Sequence, residues 1–150
     1  MKNVLVLGAG MVAPPLVRYF LARPDLAVTV ADVDGARAAA LVSGSAHGRS
    51  LALDVRDLAA VGALVDEADL VVSLLPPEFE PAVCRLAVER YTDVVSASPR
   101  GEAGMDELDD PGEHGRVRLG RHSMAEVQDM GRSAAATVED VAHMSLESVR

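Results

Sequence analysis

The run Val4-Leu5-Val6-Leu7 is apolar at every position and stops at Gly8. A strand with no polar alternation is dry on both faces, which is the pattern of a parallel sheet covered by helices on either side. Directly after it comes Gly8-Ala9-Gly10-Met11-Val12-Ala13, and then an amphipathic stretch. Val12, Leu16, Tyr19 and Phe20 recur there at helical spacing, which predicts a helix over Met11 to Ala22. A chain that passes from buried strand to helix so abruptly needs glycine where the backbone turns and a small residue where helix meets strand. Pro14 and Pro15 suit such a start, because the first helical turn leaves its N–H groups without intrahelical partners.

The same alternation continues. Strands are predicted at Ala27 to Ala31, Ser50 to Leu53, Leu70 to Leu75 and Val94 to Ala97. Helices are predicted between them at Gly35 to Val42, Leu58 to Val65 and Pro81 to Tyr91, with Pro76-Pro77 stopping the fourth strand. Right-handed crossovers between parallel strands then give an α/β fold, a doubly wound parallel sheet of the Rossmann type with strand order 3-2-1-4-5. Hydrophobic residues make up 49% of the chain but aromatics only 3%, so the core is expected to be aliphatic. Beyond Pro99 the periodicity weakens. A short helix is read at Gly104 to Asp110, a sixth, edge-type strand at Arg116 to Leu119 and a terminal helix at Ser133 to Val149, with irregular connection over 112–131. The chain therefore divides into a core, residues 1–110, and a divergent extension, residues 111–150.

A formal net charge of −9 disfavours partners that are themselves polyanions, so neither nucleic acid nor an anionic membrane surface is expected. Cys84 is the single cysteine, which excludes an intrachain disulfide and fits a reducing, cytoplasmic setting. It sits in an apolar helical stretch and reads as buried packing. His47, His114, His122 and His143 are scattered, with no metal-ligand spacing and no nucleophile–base arrangement. No catalytic residue is assigned and no metal is expected.

Gly8 to Ala13 has the G-x-G-x-x-A form, in the strand–turn–helix setting that gives this pattern its meaning: a dinucleotide-binding turn. Gly8 makes the turn and Gly10 lets a pyrophosphate approach the backbone. Ala13 allows close packing, and the N–H groups around Met11 and Val12 face the phosphates. Asp32 ends the second strand, where a carboxylate accepts ribose hydroxyls; a helix cap is its other reading, for which Asp34 is better placed. A carboxylate at that point repels a 2′-phosphate, so NAD is expected ahead of NADP, with Arg37 the residue that could reverse the choice. Asp54 ends the third strand beside the expected adenine, whose edge Asp54 or the Val55 backbone could bind, with a helix or turn cap as the alternative for Asp54. Ser73, Leu74 and Leu75 end the fourth strand near the expected nicotinamide ribose. Ser96 and Ser98 end the fifth and could face the nicotinamide, with ordinary loop serines as the equal alternative.

Val4 to Leu16 (VLVLGAGMVAPPL), Leu51 to Val55 (LALDV), Asp69 to Pro76 (DLVVSLLP) and Asp93 to Pro99 (DVVSASP) together resemble the N-terminal domain of saccharopine dehydrogenases and reductases. The likeness covers about the first 110 residues and ends near Met105 to Leu108 (MDEL). It implies an NAD(P)-dependent oxidoreductase of amino-acid metabolism, acting on lysine-pathway adducts. It carries Gly8, Gly10, Ala13, Asp32, Asp54, Ser73, Leu74 and Ser96 into cofactor-side positions. Pro99 stands where that family continues differently, and neither its Gly-Leu-Asp-Pro-Gly segment nor its substrate domain is found. The expectation is a cofactor-binding portion, inactive alone, that works with a separate substrate-domain partner or as a homo-oligomer. The alternative is a non-enzymatic NAD-binding sensor or regulatory module.

Overall fold

The structure is a computed structural model and describes residues 1–96 together with the backbone of 117–119. Its elements run β1 (Lys2–Leu7), α1 (Ala13–Leu21), β2 (Leu26–Asp32), α2 (Gly35–Val42), β3 (Gly48–Ala52), α3 (Leu58–Glu67), β4 (Leu70–Ser73), α4 (Glu80–Glu89), β5 (Asp93–Ser96) and β6 (Val117–Leu119). All six strands form one parallel sheet in the order β3-β2-β1-β4-β5-β6. The expected doubly wound topology is thus present, and the sixth strand takes its place at the end of the sheet beside β5.

Strand alternation divides the core into two layers. Val4, Val6, Val28, Val30 and Val72 turn to the side of α1 and α2, where Leu16, Val17, Phe20 and Ala38 meet them. Leu5, Leu7, Val71 and Val94 turn to the other side, against Val61 and Val65 of α3 and Val83 and Ala87 of α4. The core is aliphatic as expected, with Phe20 its one large aromatic side chain among the described residues.

Several boundaries differ from expectation, each for a local reason. The first helix starts at Ala13, not Met11. A start at Met11 would ask Pro15 to donate an N–H to the Met11 carbonyl, and proline has none. Met11 and Val12 instead lie in a turn closed by the Ala13 N–H on the Gly10 carbonyl at 3.2 Å. The fourth strand ends at Ser73 rather than Leu75, although the Leu74 N–H still reaches the Leu7 carbonyl at 2.8 Å before Pro76 turns the chain. The fourth helix runs Glu80–Glu89 rather than Pro81 to Tyr91, because Tyr91 takes a left-handed φ of 57° that ends it. The third and fifth strands lie slightly N-terminal to their expected spans, at Gly48–Ala52 and Asp93–Ser96. Ser98 and the helices expected at Gly104 to Asp110 and Ser133 to Val149 lie outside the described residues. So does the chain around the division at residue 110, beyond which β6 joins the sheet. Among the described residues no helix is long and apolar enough to cross a membrane.

Gly8 is the tightest point of the backbone. Its φ is +102°, and a Cβ placed there would stand 2.9 Å from the Leu74 carbonyl oxygen. Gly8→Ala is expected to cost about 1–3 kcal/mol from the strained backbone alone. The check is a chemical denaturation midpoint, which should fall clearly below that of the wild type; an unchanged midpoint would mean that the fold does not impose this conformation.

Candidate functional site

In an open parallel sheet, ligands bind beyond the carboxyl ends of the strands, where neighbouring connections leave on opposite sides. Here that point lies between β1 and β4. A cavity of about 600 Å³ opens there. The turn after β1 contributes Gly8 and Gly10, the end of β2 and the residue after it contribute Asp32 and Val33, and α2 contributes Arg37. The segment after β3 contributes Leu53 to Arg56, and the segment after β4 contributes Leu74 to Pro77 and Phe79. A second cavity, about 180 Å³, lies at the opposite ends of the strands between Asn3, Thr29, His47 and Arg49, away from the glycine turn.

Gly8 and Gly10 do different work. Gly8 is buried and conformationally obligatory, with its N–H on the Ala31 carbonyl at 2.9 Å. Gly10 is exposed, and a Cβ added to it would meet nothing within 4 Å. Its missing side chain therefore serves no packing purpose and keeps open the space in front of the turn. Ala13 is fully buried where α1 begins, as a close helix–sheet contact requires. Met11 is 81% exposed and Val12 half-buried; neither side chain lines the cavity, so any role of theirs rests with the backbone.

Asp32 holds this corner together. Its carboxylate accepts the Ala9 N–H at 2.7 Å and the Asp34 N–H at 2.7 Å, so one side chain ties the glycine turn to the end of β2. Asp34 caps α2, accepting from the Ala36 and Arg37 N–H groups at 3.1 and 3.2 Å, which leaves Asp32 out of that role. Asp57, not Asp54, caps α3 through the Ala60 N–H at 3.1 Å.

Asp54 accepts the Arg56 backbone N–H at 3.0 Å and takes the Arg56 guanidinium in a fork, with Nη2 at 2.7 Å. These Arg56 hydrogen bonds hold the Asp54 carboxyl well below the usual range, at about 2. The sign is that of a depressed carboxylate: the pair is intact at neutral pH and is lost only as pH falls toward that value. Arg56 and Phe79 carry no motif of their own, and sequence reasoning missed them; only the folded connections after β3 and β4 bring them to the cavity.

Leu74, Leu75 and Val55 line the cavity. Ser73 and Ser96 do not. Both are fully buried, and their hydroxyls donate to Glu80 at the start of α4, from Ser73 to Oε1 at 2.7 Å and from Ser96 to Oε2. Strand phase explains this. Ser73 follows Val71 by two residues and Ser96 follows Val94 by two, so both side chains turn into the layer of α3 and α4. Cys84, one helical turn beyond Glu80, is fully buried. Burial and then the Glu80 charge push its thiol up to about 12, so it stays protonated and serves as packing. Among the described residues no group of three His, Cys, Asp or Glu side chains could hold a metal.

A family model described as the saccharopine dehydrogenase NADP-binding domain matches residues 4–139. A saccharopine dehydrogenase [NADP(+), L-glutamate-forming] of Saccharomyces cerevisiae is 41% identical over 97 residues, which is 65% of this chain and 22% of the relative. The solved apo structure of the Saccharomyces cerevisiae saccharopine dehydrogenase (L-Glu forming) superposes with a TM-score of 0.64 at 40% identity, covering 71% of this chain and 24% of that one. The shikimate dehydrogenase of Mycobacterium tuberculosis, with a TM-score of 0.62 over 99% of this chain and 57% of its own, is 19% identical and shares the fold alone. The chain thus spans less than a quarter of the length of the saccharopine dehydrogenases that it matches.

The open space at Gly10 gives a direct test of the site. Gly10→Val should fold with wild-type circular dichroism and stability, yet lose affinity for NADH and NADPH by about tenfold or more, because its side chain would occupy the space before the turn. Unchanged affinity, measured by calorimetry, would place the dinucleotide elsewhere.

Proposed function

Because this chain belongs to the family of saccharopine dehydrogenase NADP-binding domains, we propose that it holds a nicotinamide dinucleotide across the carboxyl ends of its sheet, as the cofactor side of an oxidoreductase of lysine-pathway amino-acid metabolism. The observation that carries this reading is the Gly8–Gly10 turn opening into the 600 Å³ cavity with no side chain in front of Gly10. The pyrophosphate would lie against that turn. The adenosine end would extend over β2 and β3 toward Asp32 and Asp54, and the nicotinamide end over β4 toward Leu74 and Leu75.

Hydride transfer needs a second substrate held against the nicotinamide. The residues around the cavity would supply a cofactor cradle. In this reading these 150 residues bind dinucleotide without turnover by themselves, and the substrate is held by residues outside them.

Asp32 alone argues for NAD. Two observations support NADP instead. Each Asp32 oxygen already accepts a backbone N–H, from Ala9 or Asp34, and two guanidinium groups line the cavity, Arg37 paired with Asp34 and Arg56 with Asp54. The saccharopine dehydrogenase of Saccharomyces cerevisiae is itself described with NADP(+). The proposal is therefore that NADP(H) is held, with a 2′-phosphate met by one or both arginines.

Titration of the purified chain should show NADPH binding more tightly than NADH. Arg37→Ala or Arg56→Ala should weaken NADPH by about tenfold, the size of one charge-assisted hydrogen bond, and leave NADH nearly unchanged. A tenfold preference for NADH, indifferent to either arginine, would return the choice to Asp32. Incubation with saccharopine and NADP(+) should leave the nicotinamide absorbance constant, and sustained reduction would overturn the assignment of a cofactor side only.

A further inference from the structure

Behind the cavity wall lies a buried polar cluster that the dinucleotide site does not use directly. The register of β4 and β5 sets Ser73 beside Ser96. Both hydroxyls donate to the two carboxylate oxygens of Glu80, the first residue of α4, and Glu80 is 1% exposed. The N-terminus of the helix favours a negative charge at this point. Even so, a buried carboxylate is a costly choice. Apolar side chains of similar volume would hold the layer at least as well, and along the rest of β4 and β5 valine and leucine fill the fully buried positions.

What the cluster provides, and aliphatic packing does not, is fixed direction. Between Ser73 and Glu80 lies the connection Leu74–Phe79, which forms one wall of the cavity. One carboxylate fastens both ends of that connection, through Ser73 at its start and through Glu80 itself at its end. Ser96 anchors the same carboxylate to β5. The wall can shift only if a buried, doubly hydrogen-bonded carboxyl gives way. We propose that Glu80 is a positioning residue: held by Ser73 and Ser96, it sets the Leu74–Phe79 wall to receive the nicotinamide-bearing half of the dinucleotide. The inference rests on the dinucleotide reading above. It adds that the two halves of the cofactor are held by separate devices, the adenosine half by the Asp32 and Asp54 side and the nicotinamide half by this clamp.

The test uses the full chain and two ligands: whichever of NADPH and NADH the wild type binds better, and the matching adenosine fragment, 2′,5′-ADP or ADP. Glu80→Gln should weaken the whole dinucleotide by about tenfold while the fragment stays within about twofold of wild type. A second variant separates positioning from stability. Ser73→Ala and Ser96→Ala combined with Glu80→Met replace the whole cluster by apolar groups, which should restore stability. The selective loss of dinucleotide affinity should remain. The inference is overturned if dinucleotide and fragment weaken together, if neither weakens, or if the apolar variant binds the dinucleotide as the wild type does. Failure of the wild type to bind either ligand would instead remove the dinucleotide reading, and this inference with it.

Discussion

Gly8 sits where three strands converge, and its missing side chain is what lets them do so. Its N–H reaches the Ala31 carbonyl of β2, while the Leu74 carbonyl that continues β4 fills the space where a Cβ would stand. The backbone can leave β1 at this point only in a left-handed conformation, which brings Gly10 out over the carboxyl ends of β2 and β4. Asp32 then fixes the turn from the side through the Ala9 N–H. A glycine whose geometry is dictated by packing and a carboxylate that bonds to backbone together fix the shape of the turn.

Among the described strand residues, the buried polar side chains, Ser73 and Ser96, lie at the carboxyl ends of β4 and β5. Along their lengths β1, β4 and β5 carry valine and leucine on both faces, and the two helical layers seal them. At the last residues of β4 and β5 the same phase delivers Ser73 and Ser96 in place of valine, and Glu80 comes down from α4 to meet them. Among the described residues no buried side-chain polar atom is left without a partner. The change from aliphatic to hydrogen-bonded packing thus coincides with the end of the sheet that carries the cavity.

Much of this was legible in the chain. Unbroken apolar runs separated by amphipathic stretches leave few alternatives to a parallel sheet, and the topology follows from the handedness of its crossovers. Gly8, Gly10, Ala13 and Asp32 were readable because a fixed spacing after a strand has a fixed geometric meaning. The start of α1 was misplaced because periodicity outweighed the missing N–H of Pro15, although that constraint was equally present in the letters. Ser73 and Ser96 were aimed at the cavity by their place at strand ends. Counting in twos from Val71 and Val94 would have turned them the other way.

Other features had no signature to read. Arg56 and Phe79 reach the cavity because the connections after β3 and β4, two strands that are not neighbours in the sheet, both border it, and Glu80 becomes a buried partner only once α4 lies over β4 and β5. The sequence by itself determined the layers, the strand order and the glycine turn, because these rest on local periodicity and on backbone conformations that only glycine and proline can meet or forbid. Only the tertiary structure decided which carboxylates are caps, which bind backbone and which are buried, because those roles depend on distances between residues far apart in the chain.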